Sequence, residues 1–163
     1  MRHHHLLILK SYFGSKNIPV KLGVLNCLQV SAEVYTKMKV KITIRYFEDF
    51  LNCYWSNNAV FATGLREKVL SATITLANSV GVAEVFNAMI QLVNELSIEN
   101  KVLLIRFVAS ILADYDDRNS IIGKHHKIVV KTSLIIFQKY ECGNGKDSKH
   151  ILTSLNKIFS SLG

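Results

Sequence analysis

Lys68-Val-Leu-Ser-Ala-Thr-Ile-Thr-Leu-Ala77 and Leu104-Ile-Arg-Phe-Val-Ala-Ser-Ile-Leu-Ala113 can be laid over each other so that Leu76-Ala77 falls on Leu112-Ala113, 36 positions further on. Each segment reads as a helix, and each is followed by a second apolar, helix-like stretch. One helical pair cannot bury its own apolar face, so neighbouring pairs stack on it, and such stacks leave self-similarity at a spacing of a few tens of residues. The spacing therefore predicts an all-α chain built from successive helical pairs.

The punctuation around these segments agrees. One proline, Pro19, and eight glycines enforce few breaks in 163 residues, which favours long helices with short turns. Gly14 to Pro19 separates a short N-terminal apolar stretch from the segment that starts at Val20. Trp55 to Gly64 reads as a loop before a helix beginning near Leu65, Gly81 divides two periodic segments, and Ser97 is placed to cap the next helix. Asp116 to Gly123 and Gly143 to Ser148 read as turns, with a terminal helix over Asp147 to Leu162. Val85, Met89, Leu92, Val93 and Leu96 recur at helical steps, as do Val102, Ile105, Val108, Ala109 and Leu112. Leu103, Leu104, Phe107 and Ile111 add apolar surface on the remaining sides, so the helix over 99–113 is expected to be covered nearly all round.

Two stretches compete with this reading. Met38-Lys-Val-Lys-Ile-Thr-Ile-Arg-Tyr46 alternates apolar with polar residues, the pattern of a half-buried strand, and Lys127 to Phe137 is rich in β-branched residues. Val40, Ile44, Phe47 and Leu51 also fall at helical spacing, and no turn interrupts them, so a helix is expected over 38–51.

Composition bounds the function. The chain is 49% hydrophobic with a mean hydropathy of +0.21, but it has no apolar run of the roughly 18 residues that a membrane span needs. Cys27, Cys53 and Cys142 are odd in number and lack a Cys-x-x-Cys spacing, which suits a reducing compartment, cytoplasmic or nuclear, with each cysteine acting as a small buried hydrophobe. A net charge of +8 favours acidic partners, but the excess is spread along the chain without a block of like charge.

From Leu65 to Phe137 the sequence resembles armadillo or HEAT-type helical repeats. Ala72-Thr-Ile-Thr-Leu-Ala77 is similar to the Ala-Leu-x-Asn-Leu-Ala ending of an armadillo second helix, with Val82 to Leu92 as the third. Val108 to Ala113 repeats that ending before Ile128 to Ile136, and Val20 to Leu51 fits a looser HEAT-like pair. The resemblance implies a short α-solenoid that binds other proteins, and the alternative is a compact helical bundle. Peptide-binding armadillo proteins line their groove with an asparagine ladder. Here those positions are Thr75 and Ile111, so the resemblance does not extend to recognition of nuclear-localisation signals.

Candidate binding residues are few. Lys37, Lys41 and Arg45 stand at i, i+4 and i+8, which on a helix makes one basic stripe for an acidic segment or for phosphates. The competing reading is a solvated face opposite Val40, Ile44 and Phe47. Trp55, beside Phe50, Tyr54 and Phe61, is either an interface anchor or part of an aromatic core cluster. His125-His126 diverge by about 100° on a helix and cannot readily share a metal ion, and His3-His4-His5 is given no role. Asp114 to Asn119 lacks the glycine and the terminal glutamate of a calcium loop, and no nucleophile motif stands out. The chain is thus expected to be a single helical-repeat domain over 1–163, with a fragment or an end portion of a longer solenoid also open. It is expected to need no cofactor, metal or catalysis and to bind another protein. Two alternatives are a basic nucleic-acid-binding domain and a helical-bundle regulator of host signalling.

Overall fold

The computed structural model describes residues 4–55, 64–92 and 95–114, together with the isolated positions Lys131, Leu134, Thr153 and Asn156. The described residues form helices and no strands: α1 (His4–Ser11), α2 (Ile18–Lys37), α3 (Ile44–Tyr54), α4 (Leu65–Val80), α5 (Val82–Gln91) and α6 (Ile98–Asp114). The chain divides into two compact units, Met1–Ala88 and Met89–Gly163.

In the first unit α2 packs along α4, α1 lies on α2, and α3 lies on α4. The start of α2 follows from its local sequence. The side chain of Asn17 accepts a hydrogen bond from the Val20 N–H at 3.1 Å, and Pro19 occupies the first turn, where its missing N–H has no helical role. Val24, Leu25, Leu28, Ala32 and Tyr35 then form the buried stripe of α2. In α3, Tyr46, Phe47, Phe50, Leu51 and Tyr54 follow alternating steps of one and three and are all buried, so the helix is strongly two-sided. Phe13 sets its ring edge-on against Tyr46, Phe50 and Tyr54, with centroids 5.6, 6.2 and 5.7 Å away, which closes an aromatic cluster over α3. The Tyr46 hydroxyl donates to the Leu6 carbonyl at 2.8 Å, and Lys10 pairs with Asp49 at 2.6 Å, so α1 is tied to α3 twice. The His5 ring stands edge-on to Tyr35 at 5.2 Å, a packing role that the sequence reading had not given it.

The expected boundaries at Gly14 to Pro19, Leu65, Gly81 and Ser97 are present. Gly81, at φ 132° and ψ 119°, separates α4 from α5, and the Ser97 hydroxyl accepts from the Asn100 N–H at 3.3 Å to cap α6. The segment that starts at Val85 is shorter than its spacing predicts. α5 stops at Gln91, and Leu96 is buried beyond the helix.

In the second unit α6 buries Val102, Leu103, Leu104 and Ile105, four consecutive residues that span a full turn, and then Phe107, Val108 and Ala109. This agrees with the sequence expectation of a helix covered nearly all round, with Lys101, Arg106 and Ser110 half-buried. The loops at 116–123 and 143–148, the pair His125-His126 and Cys142 lie outside the described residues, as do the stretch 127–137 apart from Lys131 and Leu134 and the terminal helix apart from Thr153 and Asn156.

One expectation fails. Residues 38–51 are not one helix, because α2 ends at Lys37 and α3 begins at Ile44. The Lys39 N–H bonds to the Thr36 carbonyl at 3.1 Å and the Val40 N–H to the Tyr35 carbonyl at 2.9 Å, with Lys39 in the left-handed region at φ 56°. This is a Schellman stop, formed here without the usual glycine. Thr43 then caps α3 by accepting from the Tyr46 N–H at 3.3 Å. The alternating residues between are extended but pair with no strand. The Ile42 N–H donates to the Ser79 carbonyl of α4 at 3.3 Å, and the Ser79 hydroxyl donates to the Val40 carbonyl at 3.4 Å. The alternation buries Ile42 and leaves Lys39 and Lys41 exposed.

Candidate partner-binding surface

The break between α2 and α3 decides where the predicted binding residues lie. Lys37 is in the last turn of α2, Lys41 is in the extended connection, and Arg45 is in the first turn of α3. They therefore do not form one stripe along a helix as their spacing predicts. All three are exposed, as is Lys39, and together they make a basic corner where the chain turns. Lys37 suits the negative end of the α2 dipole. Arg45 sits at the positive end of α3, whose first turn contains no acidic residue.

Trp55 is not on this surface. It is fully buried, and its indole Nε1–H donates to Thr73 Oγ1 at 3.1 Å, while the Thr73 hydroxyl donates to the Val69 carbonyl at 2.6 Å. The core-aromatic alternative describes its position, and a residue with no exposed surface cannot anchor a partner in this conformation. Thr75, at the ladder position, turns its hydroxyl back to the Ser71 carbonyl at 2.9 Å.

The outer face of α2 is not among the surfaces that the sequence predicts. Val30, Val34 and Met38 remain 60%, 45% and 50% exposed, and Cys27 is exposed on the same line. Positions 27, 30, 34 and 38 follow steps of three and four, so they form a stripe. The burial expected of Cys27 is therefore incorrect. The available signal was that α2 carries apolar residues on two opposite faces, when its core requires only one. The described half-buried Cys53 has its thiol pushed up by burial, with Lys21 and Lys10 opposing that in part, which favours the unreactive thiol form.

Near the α3 end, Lys21 is buried and places its ammonium 5.1 Å from the centroid of the Tyr54 ring, a cation–π contact. The Tyr54 hydroxyl is buried and finds no hydrogen-bond partner among the described residues. Removing the two buried hydroxyls should therefore have opposite consequences. Tyr46→Phe breaks the bond to Leu6 and is expected to cost about 1 kcal/mol, while Tyr54→Phe removes an unsatisfied group and is expected to leave stability unchanged or raise it. Urea unfolding of the two variants checks this.

The same tyrosines set an alkaline limit. Burial raises Tyr35, Tyr46 and Tyr54, and Tyr54 is pushed from 10.0 to about 12. The unfolded chain ionises first, so this stabilisation is fully present below the ordinary tyrosine value and is lost as pH rises from 10.0 towards about 12. Urea midpoints should fall steeply across that window, and less steeply in the Tyr46→Phe/Tyr54→Phe double variant.

Among the described residues no three His, Cys, Asp or Glu side chains come together as a metal site, and no helix is long and apolar enough to cross a membrane. Compared with protein-family models, curated proteins and solved structures, the chain matches none.

Proposed function

We propose that this chain is a non-catalytic protein–protein interaction module inside the cell, in which armadillo- or HEAT-like helical pairs present a helix face to another protein. One observation carries the reading. The face of α2 opposite the core keeps Val30, Val34 and Met38 open to solvent in a row, and contiguous apolar surface of this kind is characteristic of contact sites. The exposed thiol of Cys27 in the same row is compatible with a reducing compartment.

The test is a photo-crosslinking amino acid placed at Val30 or at Val34 in cells, with an identical probe at exposed Glu48 on α3 as the comparison. A discrete protein adduct from the two α2 positions, absent from the third, is the expected result. Adducts of equal yield from all three positions, or none, would reject the reading. The basic corner favours a second reading, binding to nucleic acid through Lys37, Lys41 and Arg45. That reading requires oligonucleotide binding that weakens steeply as salt is raised and that Lys37→Glu and Lys41→Glu abolish.

A further inference from the structure

We infer that the outer face of α2 receives an acidic amphipathic helix from the partner. This rests on the interaction-module reading and specifies the ligand of that same face. Cys27, Val30, Val34 and Met38 cover eleven residue steps, a row about 16 Å long at the helical rise. That length matches about three turns of a second helix, whose own apolar residues at i, i+3 or i+4, and i+7 would lie along the row.

The charge around the row selects the partner's other face. At its C-terminal end Met38 is flanked by exposed Lys37, Lys39 and Lys41, with exposed Arg45 following. The acidic residues nearest in sequence are Glu33, one turn before Lys37, together with Glu48 and with Asp49, which is held by Lys10 at 2.6 Å. Four cations thus outnumber the carboxylates at the corner. A helix with leucine-like residues on one side and carboxylates at its end fits both features together.

Other occupants fit less well. A second copy of this chain would bring the same lysines and a net charge of +8 against itself. A membrane surface is held by helices with Trp, Phe and Leu on the apolar side, whereas this row offers one cysteine, two valines and one methionine. Phosphates would engage the lysines and leave the aliphatic row unused.

The experiment pans the full chain against a displayed library of helical peptides that carry aliphatic residues at i, i+4 and i+7 and are random elsewhere. Recovered peptides are expected to be rich in Asp and Glu, and to lose affinity about tenfold against Val34→Glu and severalfold against Lys37→Glu/Lys41→Glu. All three positions are exposed, so the variants should keep the native circular dichroism spectrum. Neutral or basic peptides, or acidic ones that bind the variants as well as the parent, would overturn the inference. Should the variants bind such peptides normally while crosslinks at Val30 persist, the interaction-module reading stands and only the acidic ligand is wrong; should neither peptide nor crosslink be found, both fail. Phosphatidylserine vesicles and sedimentation across a concentration series complete the set. Vesicle binding or self-association that Val34→Glu removes would assign the face to a membrane or to a second copy, and would likewise overturn it.

Discussion

Trp55→Ala is expected to lower the free energy of unfolding by about 3–5 kcal/mol, the range for emptying a buried aromatic site. Two physical losses combine. The indole is completely buried, so its removal takes away apolar contact and leaves a void that the surrounding helices fill only in part. Its N–H also gives up the bond to Thr73 Oγ1 at 3.1 Å. Trp55→Phe keeps most of the apolar volume and is expected to cost distinctly less. Thr73→Val retains the ring but leaves its N–H without that acceptor, which is expected to cost about 1–3 kcal/mol. Urea titrations of the three variants check the order, and the emission of this single tryptophan should be shielded from aqueous quenchers in the native parent. A loss below about 1 kcal/mol for Trp55→Ala would place the ring at the edge of the core.

Gly81→Ala is expected to cost about 1–3 kcal/mol, because φ 132° with ψ 119° is a conformation that only glycine adopts without strain. The position is fixed from both sides. Its N–H bonds to the Ala77 carbonyl at 2.9 Å, ending α4, and its carbonyl accepts from the Val85 N–H at 3.0 Å, starting α5. Space is not the obstacle. A Cβ here would meet only the Glu84 side chain at 3.6 Å, an ordinary contact, so Glu84→Ala should not rescue the variant. Unchanged stability together with increased helical circular dichroism would mean that alanine lets α4 and α5 merge, and that the break is not enforced by the fold.

The boundaries that the sequence predicts correctly are those where local chemistry is sufficient. Ser97 caps α6 with its own side chain and Gly81 supplies a conformation denied to its neighbours, whereas the Asn17 cap that starts α2 at Ile18, ahead of the expected Val20, is not among the sequence expectations. The near-complete burial of α6 was likewise visible, because four consecutive apolar residues span a full turn and leave only Lys101, Arg106 and Ser110 half-buried along it. At 38–46 the alternation is visible in the sequence, but the helical spacing of Val40, Ile44, Phe47 and Leu51 outweighs it there and predicts a single helix over 38–51 that the structure does not have. Ile42 bonds to Ser79, which is distant in the chain, and no local signal identifies that acceptor. Lys39 takes the left-handed stop that sequence reading reserves for glycine or asparagine, so the end of α2 was also missed.

The candidate surface divides in the same way. Lys37, Lys41 and Arg45 were recognisable as cations, and only their arrangement changed when the helix broke between them. Trp55 was recognisable as a large aromatic residue, but whether such a side chain is a core element or an anchor depends on what covers it. For Val30, Val34 and Met38 the sequence shows only that α2 carries more apolar surface than its core requires, and not which residues stay bare, since an aliphatic residue on a helix reads the same whether it is buried or exposed.

The amino-acid order alone determines that the described residues are helical and sets the boundaries at Leu65, Gly81 and Ser97, because caps, glycines and the three-to-four periodicity act over a few residues. Which apolar face of α2 became core and which stayed open was decided only in three dimensions. Both faces carry apolar residues, and the docking of α1 and α4 on one of them leaves Val30, Val34 and Met38 on the other exposed.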